Sequence, residues 1–288
     1  MIGAAVAAVL GVGALVAAFL FLSKRAGGLR SVPLVRVEFW IYCKIEAPPT
    51  DAQVLDRLVA KTPFRNSPIG TREAMTFSDI RFHIAVLRRP SNELMFHPEM
   101  HADADSNPPA NLSEILKECD SLIKVCFISE EAVSDSSHLL FTTYAAEAIG
   151  HLTNASLVFD VEAQKYFGSG ELTQTLSERN DAASFDANVS IIEQETPLSV
   201  TYLTRGMNKI GLPDLFMDGL PPDTRSLGGQ LIESAAEQLW DRRRVDPIEL
   251  ELFGDTFFVQ FTKPHKSGTH RGFVTDMMAS RKVLLGPT

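Results

Sequence analysis

The residues from 97 to 105 hold the densest group of potential metal ligands in the sequence. Two imidazoles and three carboxylates fall within these nine residues. Imidazole and carboxylate groups suit Zn²⁺ or a harder divalent ion. Pro98 disfavours a helix that would place both histidines on one face, and the spacing differs from the H-E-x-x-H motif. The segment is therefore either a metal site or a solvated acidic loop, and the candidate ligands are His97, Glu99, His101 and Asp103.

A second chemically interesting carboxylate is Asp160, which ends the apolar run SLVF, with Glu162 close behind. The C-terminal end of a strand is a common place for a catalytic acid or base. It is also the place for the N-cap of a following helix, and the sequence VEAQKYF after Asp160 predicts a short one. We expect the capping role.

The most distinctive segment is TRGMNKIGLPDL, residues 204–215. It leaves a predicted strand, turns through Gly206 and Gly211, and enters another apolar run. Cations on a glycine-bearing loop could bind an anion, which makes Arg205, Lys209 and Asp214 candidate ligand-binding residues. The alternative is a structural turn, in which the glycines adopt positive φ and Asp214 holds the backbone.

The same segment resembles a motif of bacterial domains known only as a domain of unknown function. The motif is T-x-G-[ML]-x-x-x-G-x-x-[DE]-L followed by a loop and a helix, and residues 204–215 and 227–240 fit it. The stretch 145–160, a small-residue helix leading to LVFD, is also similar. The resemblance covers about a third of the chain and implies no catalytic residues.

Strands and helices in mixed order must position these residues. Period-2 and β-branched runs predict strands, and apolar residues at helical spacing predict helices. The predicted strands cover 32–45, 77–87, 122–129, 156–160, 189–193, 198–204, 215–217, 248–253, 256–262 and 281–285. The predicted helices cover 51–61, 112–119, 136–153, 161–167 and 224–243, with a loop at 88–111 and a loop or frayed helix at 169–188. The fold class is α+β, a mixed-sheet globular body with helices packed on it.

An apolar segment precedes this body. Residues 2–22 contain no charged, polar or proline residue. As a helix they span about 31 Å, which matches the hydrocarbon core of a bilayer. A cleaved signal peptide is the alternative, but no Lys or Arg precedes the segment and it is long for such a signal. We expect an N-terminal transmembrane helix that acts as an uncleaved anchor (1–22), a juxtamembrane linker (23–31) and a domain over 32–288, within which a sub-boundary could fall in 169–188.

The basic residues around the segment predict its orientation. Lys24, Arg25 and Arg30 follow it closely, whereas only the α-amino group precedes it. The positive-inside rule places the C-terminal flank in the cytoplasm. The sequence therefore predicts a single-pass membrane protein with its N-terminus outside and its C-terminal domain cytoplasmic.

The charge and the cysteine content of the body argue against some classes of function. The net charge of −9 argues against non-specific nucleic-acid binding, which needs a positive surface. Cys43, Cys119 and Cys126 are odd in number and lack metal-ligand spacing, so we expect free thiols. No nucleotide-binding, nucleophile-elbow or paired-cysteine motif is present.

Two functions fit these observations. The first is a binding or scaffolding module, anchored in the lipid bilayer through residues 2–22, with a protein partner, no nucleic acid and no cofactor. The second is a membrane-tethered hydrolase, metal-dependent if it uses the 97–105 loop, or else built on the carboxylates around Asp160. The sequence leaves both open and does not decide whether the protein is an enzyme.

Overall fold

The predicted α+β architecture is confirmed in a computed structural model, which describes residues 35–60, 81–101, 108–178 and 181–260 and the backbone of 274–276. The described residues all belong to one compact unit. No helix in the described ranges combines the length and apolar character that a membrane span requires. The predicted anchor at residues 2–22 and the predicted strand at 281–285 lie outside those ranges.

Five antiparallel strands form the first sheet. They are β1 (Val35–Cys43), β2 (Phe82–Arg88), β3 (Ser121–Ser129), β4 (Leu157–Asp160) and β5 (Lys165–Gly168). Their spatial order is β2-β3-β1-β4-β5, so β1 lies in the centre. This central position agrees with the β-branched and aromatic composition of β1, which suits a strand buried on both faces.

Three helices belong to this half of the chain: α1 (Asp51–Ala60), α2 (Leu112–Glu118) and α3 (Ser137–Leu152). Helix α3 packs on β1 and β3, and α1 packs on α3. Thr50 caps α1, because its Oγ1 accepts the Gln53 N–H while Gln53 Oε1 accepts the Thr50 N–H, a reciprocal capping box. The opposite face of the sheet is covered by α2 and by residues of the 88–101 segment.

The second sheet contains β6 (Ser190–Glu195), β7 (Val200–Arg205), β8 (Asp214–Leu220) and β11 (Val274–Asp276), in the order β11-β8-β7-β6. Only the β11–β8 pair is parallel in the described chain. Helices α4 (Glu171–Glu178) and α5 (Phe185–Asn188) come between the two sheets in sequence, and α6 (Arg225–Arg242) packs on β7 and β8. A separate hairpin joins β9 (Ile248–Leu252) to β10 (Asp255–Val259).

One hydrophobic cluster runs through both sheets, and a second covers the other face of the first sheet. Phe39 of β1, Ile149 of α3, Tyr202 of β7 and Trp240 of α6 belong to the same buried cluster. The three cysteines are buried free thiols, as predicted. The two sheets therefore share one packed interior.

The predicted helix over 161–167 is wrong. A turn follows Asp160, with Gln164 at φ 54°, and residues 165–168 return as strand β5. Tyr166 stacks on Phe159 across this hairpin with ring centroids 4.5 Å apart. Cross-strand aromatic packing therefore decides the conformation against a weak local helix preference.

Helical turns occur in the predicted loop at 88–111 and in the segment 169–188, for which a loop or a frayed helix is predicted. Three short 3₁₀ turns occupy Arg89–Ser91, Glu93–Phe96 and Pro98–His101 within the predicted loop at 88–111. Helices α4 and α5 occupy most of 169–188. Both segments are polar in composition, and their helical turns pack only a few apolar side chains such as Phe96, Leu172 and Phe185.

Candidate functional site

Residues 204–215 form the turn between β7 and β8, and two glycines shape it. Gly206 has φ 109° and Gly211 has φ 79°, on either side of a 3₁₀ turn over Met207–Ile210. A Cβ atom on Gly206 would lie 2.2 Å from the carbonyl oxygen of Asn188. Glycine is required at position 206 both by its positive φ and by this close approach of two backbone segments.

Asp214 holds this turn from inside. Its Oδ1 accepts the Met207 N–H at 3.1 Å and the Thr204 hydroxyl at 3.4 Å. The Thr204 Oγ1 in turn accepts the Leu215 N–H at 2.7 Å. Burial raises the pKa of Asp214 to about 7, although the Met207 N–H and the charge of Arg205 oppose the shift. The buried Asp214 side chain therefore stabilises the backbone of the turn by hydrogen bonding.

Lys209 extends from the turn into the first sheet. Its Nζ lies 2.5 Å from Asp160 Oδ2 and donates to Asn188 Oδ1 at 3.3 Å. The Lys209 carbonyl oxygen lies 2.7 Å from Nε2 of His138, in the first turn of α3. One residue of the turn is thus held by β4, α5 and α3 together.

Asp160 caps a turn in place of the predicted helix. Its Oδ1 accepts the Ala163 N–H at 3.1 Å, while Oδ2 faces Lys209. Glu162 follows; its Oε1 forms an ion pair with Arg36, whose Nε lies 3.1 Å away, and its Oε2 accepts an N–H of the Asn208 side-chain amide. Burial raises the pKa of Glu162 above its usual range. Both carboxylates near the end of β4 are engaged by partners within the protein.

A further group of charged side chains surrounds Glu38 of β1. The Glu38 carboxylate accepts the Trp40 indole N–H at 2.5 Å, pairs with Arg36, and lies 3.6 Å from Lys124 Nζ. Burial alone raises the pKa of Glu38, but the Trp40 hydrogen bond and the Arg36 charge outweigh it, so the pKa is lowered. Sequence reasoning missed this cluster, although the alternation of Arg36 and Glu38 with apolar residues in β1 is visible in the sequence.

The structure thus brings together only part of the predicted ligand-binding set. Lys209 and Asp214 use their polar side-chain atoms within the protein, which favours the structural alternative for this turn. Arg205 ends β7 and is half-buried. An anion-binding role for the three residues stays a prediction.

The predicted metal ligands lie in different environments. His97 is half-exposed and its Nδ1 is 3.7 Å from the exposed carboxylate of Glu99. His101 is buried, with its Nε2 2.9 Å from the hydroxyl of Tyr42. Burial lowers the pKa of His101 to about 4. Asp103 lies outside the described residues, and within them no three His, Cys, Asp or Glu side chains form a group able to hold a metal ion.

The Tyr42 hydroxyl determines the tautomer of His101. Its single proton is donated to the carbonyl oxygen of Met95 at 2.8 Å. His101 Nε2 must therefore carry a proton and donate to the same hydroxyl. The His101 ring packs among Trp40 and Phe159, with centroids 5.6 and 4.9 Å away. The imidazole is thus a neutral member of an aromatic cluster.

The clearest exposed surface in the described residues is strand β2. It is the outermost strand of the first sheet there. Residues 83–86 are all exposed, including Ile84 at 46% and Val86 at 40%. An exposed edge strand carries unpaired backbone donors and acceptors, to which another extended segment can pair. Natural edges are usually protected by charge, proline or a bulge, and residues 83–86 contain no Lys, Arg, Asp, Glu or Pro.

Two backbone hydrogen bonds show which groups of β2 face outward. The Ile128 N–H donates to the Arg81 carbonyl oxygen, and the Arg89 N–H donates to the Asp120 carbonyl oxygen, both at 2.9 Å. In an antiparallel pair, alternate residues direct both backbone groups to the same neighbour. Odd-numbered residues therefore face β3, and the N–H and C=O groups of the even-numbered residues Phe82, Ile84 and Val86 face the open edge.

Comparison with protein-family models, with curated proteins and with solved structures found no match to this chain.

Proposed function

We propose that the chain is a binding module anchored in a membrane by residues 2–22, with its α+β body in the cytoplasm, and that β2 receives a partner protein. The observation that carries the proposal is the exposed edge of β2, with the outward backbone groups of Ile84 and Val86. The apolar segment and the basic residues behind it support the anchor and its orientation.

The chemistry of the edge identifies the class of partner. A row of alternating N–H and C=O groups at strand spacing is complementary to an extended polypeptide, which would add a strand to the sheet. Ile84 and Val86 lie on one face of β2, so they favour apolar residues at alternate positions of the added strand.

The test is site-specific photo-crosslinking in intact membranes. A photoreactive amino acid replaces Ile84 in the full chain, and a second variant carries it at Leu198, which is exposed in the β6–β7 turn. We expect a discrete protein adduct from position 84 and none of that size from position 198. An adduct of the same size from both positions would show proximity in the membrane without docking on β2.

Backbone pairing is tested by a matched pair of further substitutions in the chain that carries the photoreactive residue at position 84. Val86→Pro removes an outward N–H and leaves the bonds to β3 intact, since proline is tolerated on the open side of an edge strand. Val86→Thr keeps the N–H and the β-branched shape. We expect loss of the adduct in Val86→Pro and its retention in Val86→Thr. Retention in both variants would overturn the proposed strand addition.

A further inference from the structure

Strand β2 carries a row of apolar side chains along the open edge of the first sheet. Phe82, Ile84 and Val86 lie at alternate positions of the strand, opposite buried apolar residues of β3. The row therefore belongs to the sheet face on which α3 packs. Phe82 contacts Phe141 of α3 with ring centroids 4.7 Å apart, whereas Ile84 and Val86 are 46% and 40% exposed. The outer part of this core face is thus left half-covered within the described chain.

An antiparallel second copy of β2 matches this row. The even-numbered residues direct their N–H and C=O groups outward, so even-numbered residues must lie opposite each other in the added pair. When Ile84 lies opposite Ile84 of the second copy, Phe82 lies opposite Val86, and Val86 opposite Phe82. The outward groups of these three residues then form about six main-chain hydrogen bonds. Each apolar side chain of the row also meets another apolar side chain across the pair.

Registers shifted by two residues are less favourable than the one centred on Ile84. A shift in one direction sets Phe82 opposite the charged Arg88 of the second copy. A shift in the other direction moves Val86 past Phe82, the residue at which the second copy's strand begins. On the opposite face, the register centred on Ile84 sets His83 against Ala85, so that no like charges oppose each other between Phe82 and Val86. The edge is therefore self-complementary in one register.

We propose that the partner received by β2 is a second copy of this chain, in a two-fold dimer whose β2 strands pair about Ile84. The inference rests on the proposed function, since it names the partner of the same edge. A two-fold interface requires a self-complementary surface, and two-fold dimers are the commonest oligomers.

The size of this interface predicts a weak dimer. About six direct hydrogen bonds correspond to roughly 600 to 1,200 Å² of buried surface, which is at the lower end of specific interfaces. Anchoring in one membrane plane raises the effective concentration of the chains relative to each other. We therefore expect more dimer in membranes than in dilute detergent solution.

Disulfide trapping of the full chain in intact membranes tests the dimer and its register. In Ile84→Cys the new cysteine faces its own copy, with Cα atoms about 5.5 Å apart, a separation that a disulfide spans. In Val86→Cys the two cysteines are offset by four residues, or roughly 13 Å along the strand. We expect an oxidant-dependent dimer from Ile84→Cys, at least about tenfold less from Val86→Cys, and none from the parent chain, whose cysteines are buried. Equal trapping of both variants, or no trapping of Ile84→Cys, would overturn the proposal.

Charges introduced at position 84 provide a second test, in which the association of the full chain in detergent is measured by sedimentation equilibrium. Ile84→Lys and Ile84→Glu each set like charges opposite each other and should weaken self-association at least about tenfold. An equal mixture of the two variants should associate more tightly than either variant alone, because Lys then lies opposite Glu. Leu198→Lys, at an exposed turn, should behave as the parent chain. No gain in a mixture of variants that circular dichroism shows to be folded would contradict the two-fold pairing.

The dimer and the docking function of β2 fail in different ways. If β2 receives a different protein, the photoreactive residue at position 84 yields an adduct whose mass is not twice that of the chain, and Ile84→Cys is not trapped. That result would overturn the dimer and leave docking on β2 in place. The absence of any adduct from position 84 would overturn both proposals. An adduct of twice the mass of the chain, together with trapping of Ile84→Cys, supports the dimer.

Discussion

The Nζ atom of Lys209 lies 2.5 Å from Oδ2 of Asp160, and both side chains are buried, at 0% and 2% exposure. Asp160 ends β4 of the first sheet, and Lys209 belongs to the turn that joins two strands of the second. The pair therefore ties the two sheets together through charge. Removing two ions from water costs several kcal/mol for each, and the cost is offset only while both partners are present.

Replacing one partner of this pair should strongly destabilise the protein. We expect Lys209→Met to lower the free energy of unfolding by about 3 to 5 kcal/mol, because Asp160 is left as an uncompensated buried charge. The double variant Asp160→Asn/Lys209→Met should be less destabilised than the sum of the two single variants. Chemical denaturation measures all four proteins. Arg244→Met, which breaks an exposed pair with Asp246, is the control and should change stability by less than about 1 kcal/mol.

Gly206 should tolerate no side chain. Gly206→Ala is expected to destabilise the protein by about 3 kcal/mol or more, since it combines positive φ with a 2.2 Å approach to the Asn188 carbonyl oxygen. Gly219 also has positive φ, at 73°, but faces open space. Gly219→Ala should therefore lose only about 1 kcal/mol. Similar losses for the two variants would mean that the close approach at Gly206 relaxes freely.

Asp214 should make stability fall as the pH rises. Its pKa of about 7 in the folded protein lies above the value of about 3.9 expected in the unfolded chain. Between these values the folded state retains a proton that the unfolded state has lost. The contribution of Asp214 to the free energy of unfolding is fully present below pH 4 and is lost as the pH rises through 7. From pH 5 to pH 8, Asp214→Asn should gain about 2.5 kcal/mol relative to the parent protein. A stability difference that does not change with pH would contradict the raised pKa.

His101 should make the stability of the protein fall as the pH is lowered. Its pKa of about 4 in the folded state lies below the unfolded value of about 6.5. The unfolded state therefore binds a proton first, and the stability present above pH 6.5 is lost as pH falls toward 4. Relative to the parent protein, His101→Phe should gain about 2 kcal/mol when the pH is lowered from 8 to 5. The measurement is urea denaturation at both pH values, and no gain in the variant would exclude this linkage.

The proposed topology has a direct test. A fluorescent or phosphatase reporter fused to the C-terminus should report a cytoplasmic location, because the basic residues follow the apolar segment. Neutralising Lys24, Arg25 and Arg30 to glutamine should produce a mixture of orientations. A translocated reporter on the parent chain would refute the proposed orientation.

Sequence reasoning predicted the strands and helices whose side chains carry a strong periodic signal. Strand β1, helix α3 and helix α6 lie within a few residues of their predicted bounds. Strands β9 and β10 likewise lie within a few residues of the strands predicted at 248–253 and 256–262. In these elements the local preference and the tertiary environment agree, which is the condition under which local patterns are informative.

The misassigned elements depend on contacts between distant residues. Strand β5 replaces a predicted helix because Tyr166 stacks on Phe159 and residues 165–168 pair with β4. The partnership of Lys209 with Asp160 joins positions 49 residues apart in the chain, and no spacing rule connects them. The motif at 204–215 was recognisable as a turn, but its role as a link between sheets could not be derived without three-dimensional contacts.

The separation of Asp160 from Lys209 also has a consequence for biosynthesis. When the ribosome has completed the first sheet at Gly168, Lys209, which pairs with Asp160, is still 41 residues from being made (209 − 168 = 41). At translation rates of about 5 to 20 residues per second this delay amounts to roughly 2 to 8 seconds. During that interval the Asp160 carboxylate of the nascent first half has water in place of Lys209 as its partner. The hydrophobic core that the two sheets share should therefore form late, after Lys209 has been synthesised. A chain that ends between the two sheets should be a preferred substrate for cellular proteases.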